Sequence, residues 1–375
     1  MLDEPRSFLR AGQIRRMGVV NILDSFKRIE KYDESSMLEL IESFPEQCQD
    51  AVRLGYEFEL PQGFKGSYKN IVCTGLGGSA IGADLVRSYI ADEALIPVFV
   101  NRNYTLPNFV SKDTLVIVSS YSGNTEETLS AYRDARSRGS QILAITSGGK
   151  LERKARQDDV PCLAIPPSFP PRCALGYSFF PLLLVLSKIG IIRDQAVFVD
   201  DAIHNLRKLK DSLIGYKVSH RDNLAKKIAR EIFDKLPVIY AGHDHIDAVV
   251  TRWRGQLAEN SKTLSWGQLF PEMNHNEIVG WENPKRVLRE CVAIILRDSA
   301  DHPRVSRRMD ITRRTLKGSR VKVLEVPSVG KELLTRILSL VYIGDFVSFY
   351  LAILNGIDPT PVKRITAMKK ELAKK

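Results

Sequence analysis

Apolar residues recur at helical intervals through "SMLELIESFPEQCQDAVRLG" (36–55), with Pro45 marking a boundary inside the run. Residues 1–55 read on this pattern as an N-terminal helical extension that caps the first sheet. From about residue 69 the rhythm changes. Short, nearly continuous apolar runs ("NIVCTGLG", "PVFVNRN", "DTLVIVSSYSG", "QILAITSGG", "CLAIP") alternate with amphipathic stretches ("AIGADLVRSYIA", "TEETLSAYRDARSRG"). That alternation predicts βαβ units around a buried parallel sheet. A second series starts near residue 196: helix "NLAKKIAREIF", strand "LPVIYAG", helix "HIDAVVTRWRGQLAENSK", strands within "RVLRECVAIILRD" and "RVKVLEVP", and a long apolar helix over 332–356. No strict sequence repeat is visible, yet strand–Gly–helix occurs after residue 70 and again after residue 236. The expectation is an α/β chain with two copies of one architecture, each a parallel β-sheet flanked by helices. The boundaries are 1–55 for the extension, 56–195 for the first domain and 196–375 for the second.

Composition narrows the class without changing that picture. An apolar fraction of 44% supports a sizeable core. The nearest approach to a membrane span, "FFPLLLVLSKIGII" (179–192), is broken by Pro181, Ser187, Lys188 and Gly190, so no membrane association is expected. The first ten residues lack an apolar signal core, which points to the cytoplasm. Five scattered cysteines without a CxxC pair read as reduced, buried thiols. The net charge of +11 is concentrated in "RVSRRMDITRRTLKGSR" (304–320) and in the tail. No nucleic-acid module accompanies it, and 304–320 reads as a solvated basic loop inserted in the second domain.

Candidate chemistry gathers at two turns of the first domain. "TGLGGSAIG" (74–82) and "SSYSGNTEE" (119–127) each follow a strand and open a helix. Helix N-termini there offer free N–H groups, glycines allow close backbone approach, and Gly78, Ser79, Ser120, Ser122 and Thr125 supply amides and hydroxyls suited to a phosphate. Neither turn holds a lysine, and the third glycine of a dinucleotide fingerprint is replaced by Ala80. N-capping by Ser79 and Thr125 is the competing reading for either turn alone.

The ordered motifs "GLGGSAIG", "SYSGNTEET", "PRCALGYS", "ENSK" and "PEMNHNEIVGW" resemble the SIS (sugar isomerase) family, and among its members the bifunctional phosphoglucose/phosphomannose isomerases, from about residue 40 to the C-terminus. The resemblance implies two SIS domains and a homodimer with shared active sites. It also implies an aldose–ketose isomerase that interconverts glucose 6-phosphate and mannose 6-phosphate with fructose 6-phosphate through an enediolate. No cofactor and no metal is expected, the partner being a small sugar phosphate rather than nucleic acid.

By position in those motifs, Glu259 matches the catalytic base, His275 the ring-opening histidine contributed to the partner subunit's site, and Arg172 the arginine that steadies the enediolate. Without the resemblance, the better reading of Glu259 is a solvent-facing helix residue. In "GIDPTPVKRITAMKK" the resemblance points to Thr360 as a pocket threonine and to Lys369, with Lys363 as the alternative, as a pocket lysine. Thr360 could instead cap a helix. "AGHDHID" (241–247) has a metal-like H-x-H, but capping of the next helix by Asp244 or Asp247 reads better. The alternatives are a non-catalytic SIS phosphosugar sensor, which needs the hydroxyl turns but not Glu259, His275 and Arg172 together, and an amino-sugar phosphate isomerase.

Overall fold

The computed structural model describes residues 22–64, 66–372 and 374. The first 21 residues of the helical extension lie outside them. Of the extension's described part, α1 (Met37–Glu42) and α2 (Phe44–Glu57) follow a one-turn helix at Phe26–Glu30, with Pro45 in the first turn of α2 where its missing N–H costs nothing. The first lobe then runs β1 (Asn70–Thr74), α3 (Gly78–Tyr89), β2 (Val98–Asn101), β3 (Thr114–Ser120), α4 (Glu126–Ser137), β4 (Gln141–Thr146), α5 (Gly149–Gln157) and β5 (Cys162–Ala164). All pairings are parallel, in the order β2-β1-β3-β4-β5. The central strand β3 is buried along its whole length, as its unbroken apolar sequence anticipates.

A 3-10 turn at Pro171–Cys173 leads into α6 (Leu175–Lys188), which carries Pro181 in its interior and is buried over nearly all of its length. Helices α7 (Ala196–Leu209) and α8 (Leu224–Ile232) lead to the second lobe. There β6 (Leu236–Gly242), α9 (Asp247–Glu259), β7 (Trp266–Phe270), β8 (Cys291–Arg297), α10 (Pro303–Gly318) and β9 (Lys322–Pro327) form a four-stranded parallel sheet in the order β7-β6-β8-β9. Both sheets step outward from their first strand and then reverse, so the fold repeats where the sequence does not. Helix α11 (Leu333–Asn355) is long and apolar enough to cross a membrane, and every residue from Leu334 to Leu354 is buried inside the protein. A final helix, α12 (Lys363–Leu372), buries none of its residues.

Three sequence expectations need correction. Residues 304–320 are not an inserted loop: they form α10, the crossover between β8 and β9, which buries Met309, Thr312 and Leu316 at helical spacing behind a start made by His302 and Pro303. The density of arginine on its outer face hid a narrow apolar stripe. The extension is not merely a lid on the first sheet. Helix α2 packs on both α6 and α7, Phe44 stacks near Tyr342, and the Tyr342 hydroxyl donates to the Ile41 carbonyl at 2.9 Å. Neither Asp244 nor Asp247 caps α9, whose N-cap is Ile246. The Asp247 carboxylate instead accepts from Arg87 and Ser88 of α3, tying the start of α9 to the first lobe.

Candidate active site

In the first sheet the chain reverses direction between β1 and β3, and ligands of doubly wound sheets bind outside the strand ends at such a point. Both glycine- and hydroxyl-rich turns lie there. They are joined: the Tyr121 amide donates to the Ser79 hydroxyl at 3.1 Å. Ser120 donates to the Thr125 hydroxyl at 3.0 Å, while Ser122 is exposed and accepts from the Asn124 amide at 3.3 Å. The capping alternative fails at both helices. Thr125 stands at the N-cap of α4 and Gly77 at that of α3, and among the described residues no side chain caps either. The turn after β3 folds back on the next one: Gly123 has φ +63°, and a Cβ there would come 1.7 Å from the Gly148 carbonyl oxygen.

The first turn also abuts the 3-10 segment that carries Arg172. A Cβ on Gly78 would stand 2.4 Å from the Pro171 carbonyl oxygen. The approach to that segment is pinned by Tyr121, whose hydroxyl donates to the Pro166 carbonyl at 2.8 Å and accepts from the Phe169 amide at 2.9 Å. From the other side Gln47 of α2 donates to the Cys173 carbonyl at 2.7 Å and accepts from the Gly176 amide at 2.8 Å. Arg252 of α9 donates to the Arg172 carbonyl at 2.7 Å and is held by Asp345 of α11.

Arg172, only 5% exposed, reaches from this support into the second lobe. Its Nε donates to Asn260 Oδ1 at 2.6 Å, and Nη2 to the Pro359 and Thr360 carbonyls at 2.8 and 2.7 Å. Nη1 stands 3.5 Å from Glu259 Oε2. Of five guanidinium donors, three are committed to the frame and the two on Nη1 face the carboxylate. Glu259 ends α9 with its side chain one-third exposed, so the carboxylate opens to solvent rather than to the core. Asn260 is fixed in turn by donating to Ser348 at 2.9 Å. Beside them the Thr360 hydroxyl is buried with no partner among the described residues, and Thr360 does not cap α12, which begins at Lys363. Burial, followed by the neighbouring Arg172 charge, holds the Lys262 ammonium below the usual lysine range. Burial pushes the Cys173 thiol up to about 11, which leaves it an inert neighbour.

The structure therefore brings Gly78, Ser79, Ser120, Ser122, Thr125, Arg172, Glu259 and Thr360 into one continuous chain of contacts. It does not bring in His275 or the two lysines. His275 closes the 3-10 turn Glu272–Asn274 with its imidazole exposed, and none of the bonds around Glu259 involves it. The turn is anchored by buried Met273 and by Asn274, which donates to Thr312 of α10 at 2.9 Å. Lys363 and Lys369 both lie on α12 and are exposed. Sequence reasoning missed Gln47, Asn260, Lys262 and the Arg252–Asp345 pair. Asn260 and Lys262 stand inside the quoted "ENSK", where only the glutamate was assigned work; Gln47, Arg252 and Asp345 leave no local signal, because they act across 80 or more residues of chain.

The second sheet reverses in the same way between β6 and β8, but its edge is acidic. Asp301 Oδ1 sits 2.8 Å from where a Cβ on Gly242 would be, and Asp298 accepts from Arg336 at 2.8 Å. Burial pushes the Asp301 carboxyl up to about 6. Because its folded value lies above the usual carboxylate value, the cost of keeping it ionised is absent at low pH and grows as pH rises through about 6. Asp301→Asn is expected to raise the urea midpoint relative to the native chain above pH 6, with the difference vanishing below about pH 4. Denaturation series across that range check it.

Comparison with known proteins shows which family the chain resembles. Residues 67–171 match the SIS domain, and residues 221–372 match the bacterial phospho-glucose isomerase C-terminal SIS domain. The chain is 46% identical over 340 residues to the bifunctional phosphoglucose/phosphomannose isomerase of Caldicellulosiruptor bescii, covering 90% of this chain and 99% of that one. It is 39% identical over 312 residues to the protein of the same name from Aquifex aeolicus, covering 82% and 91%. A crystal structure of a hypothetical protein from Thermus thermophilus superposes with a TM-score of 0.70 over 98% of this chain and 97% of that one, at 14% identity, which speaks to the fold alone.

Proposed function

The chain belongs to the bifunctional phosphoglucose/phosphomannose isomerase family and is an isomerase, and from that premise we propose how its site interconverts glucose 6-phosphate and mannose 6-phosphate with fructose 6-phosphate. The phosphate is held by the two turns of residues 56–195, through the helix N-termini and the hydroxyls of Ser79, Ser120, Ser122 and Thr125. The sugar chain then runs toward residues 196–375. The Glu259 carboxylate takes the proton from C2 of the open aldose, or C1 of the ketose, becoming a neutral carboxyl, and returns it to the neighbouring carbon. The negative charge that develops on the C1 and C2 oxygens is met by the Arg172 Nη1 donors, already in place before the reaction starts. Glucose and mannose phosphates differ only at C2, so proton return to either face of the enediolate requires room there, beside Thr360. The observation that carries this reading is the Nη1–Oε2 contact between Arg172 and Glu259, with Arg172's own segment packed against Gly78 of the phosphate turn.

Ring opening is assigned to His275 of the partner subunit, in a homodimer that works in the cytoplasm. Support comes from the exposed imidazole on a 3-10 turn anchored by Met273 and Asn274, and from the exposure of Leu264, Trp266 and Val279 on the same stretch of chain, 79%, 53% and 64%. Lys369 of α12 completes the pocket once that surface is covered.

Incubation with fructose 6-phosphate tests the reading: both aldose 6-phosphates form, and binding without turnover overturns it. In the same assay Ser122→Ala is expected to raise KM about tenfold with a smaller effect on kcat, as for a lost bond of about 1.5 kcal/mol to a charged group. An unchanged KM moves the phosphate elsewhere.

A further inference from the structure

The geometry points to Lys262 as a positioning residue for the isomerisation, a clasp that holds the end of α9 and the Pro359–Thr360 segment as one wall of the pocket. Lys262 has φ +54°, a left-handed conformation uncommon for a residue with a side chain, which turns its backbone sharply after Glu259. The ammonium is thereby brought back over the helix it follows. Nζ donates to the Glu259 carbonyl at 2.6 Å and to the Pro359 carbonyl at 3.0 Å, with a longer contact to the Asn260 carbonyl at 3.4 Å. The last carbonyls of a helix lack partners within it and carry partial negative charge, so a cation there satisfies them and complements the dipole. The Pro359 carbonyl is shared: Arg172 Nη2 donates to it from the other side at 2.8 Å. Two cations from different parts of the chain thus grip one oxygen, one of them also facing the Glu259 carboxylate and the other holding the Glu259 main-chain carbonyl. Arg172 from the 3-10 segment faces the Glu259 carboxylate, and the charged neighbours of the Lys262 ammonium are Arg172, Glu259 and Asp358 of the C-terminal segment, which also accepts from the Thr360 amide at 2.9 Å.

This inference rests on Glu259 being the base. Steady-state kinetics with fructose 6-phosphate across pH 5–9 test it, using folded Lys262→Met, Lys262→Gln and Lys262→Arg. Loss of the clasp is expected to lower kcat by about 10- to 100-fold with KM moving much less, the size of effect that slight misplacement of a reacting group produces. Lys262→Arg recovers most of kcat, because a guanidinium can still donate to both carbonyls, while Lys262→Gln, shorter and uncharged, stays low. Should Lys262→Met fail to fold, the Gln and Arg variants decide the question on the kcat-against-KM split alone. An unchanged kcat overturns the clasp, as does a loss carried mainly in KM or one that arginine does not rescue. Glu259→Gln separates the two readings: if it is inactive, a native-like Lys262→Met profile overturns the clasp only; if it retains turnover, base and clasp fall together.

Discussion

Glu259→Gln is expected to abolish isomerisation while leaving sugar phosphate bound. The amide has the size of the carboxylate and can still lie opposite Arg172 Nη1, but it cannot accept the proton from carbon. Removing a general base costs about 10²- to 10⁴-fold in kcat, and among the described residues no other carboxylate contacts the free face of Arg172. KM should change little, because the proposed phosphate site lies in the other lobe. Progress curves with fructose 6-phosphate give kcat and KM, and solvent deuterium uptake at C1 and C2 should be lost with turnover, since no proton is taken from carbon. A folded variant that keeps near-normal turnover and deuterium uptake removes Glu259 from its role and, with it, the placement of the reacting carbons.

His275→Ala is expected to lose nearly all activity as well, and the informative experiment mixes it with Glu259→Gln. Each variant alone supplies one half of every site and is inactive. When subunits exchange, half of the dimers pair one variant with the other, and each such dimer contains one site with a native glutamate and a native imidazole. Activity should return to about a quarter of the native level per site, as two-fold symmetry dictates. No recovery after verified exchange means that His275 does not act across a subunit boundary. Recovery is a large signal over two inactive backgrounds.

How legible this molecule was in its sequence can be traced element by element. The strands of both lobes are short apolar runs bounded by glycine, so β1, β3, β4, β6 and β8 stand out, and the hydroxyl turns after β1 and β3 follow from them. Edge strand β7 is different. Trp266 is half exposed and the strand ends in a polar turn, so "WGQLF" shows neither a buried run nor clean alternation, and it merged into the loop of His275. The crossover α10 was hidden by its arginines. Of the candidate site, the residues proposed to touch a ligand sit in compact motifs, and Arg172, Glu259 and Thr360 meet in the fold. What holds them does not: the partners of Gln47, Arg252 and Asp345 are fixed only when three helices from distant parts of the chain pack together, and no local pattern encodes that meeting.

The acidic rim of the second sheet bears on how the chain came to carry one reaction centre on a duplicated scaffold. Two equivalent cradles were available, each with a strand reversal and a glycine at its mouth. In the second, Asp301 crowds the glycine at the mouth and Asp298 is locked to Arg336, so side chains break the symmetry that architecture supplies. On the proposed reading, one mouth per polypeptide is left to take a dianion, and the second copy serves as the rigid arm that presents the base.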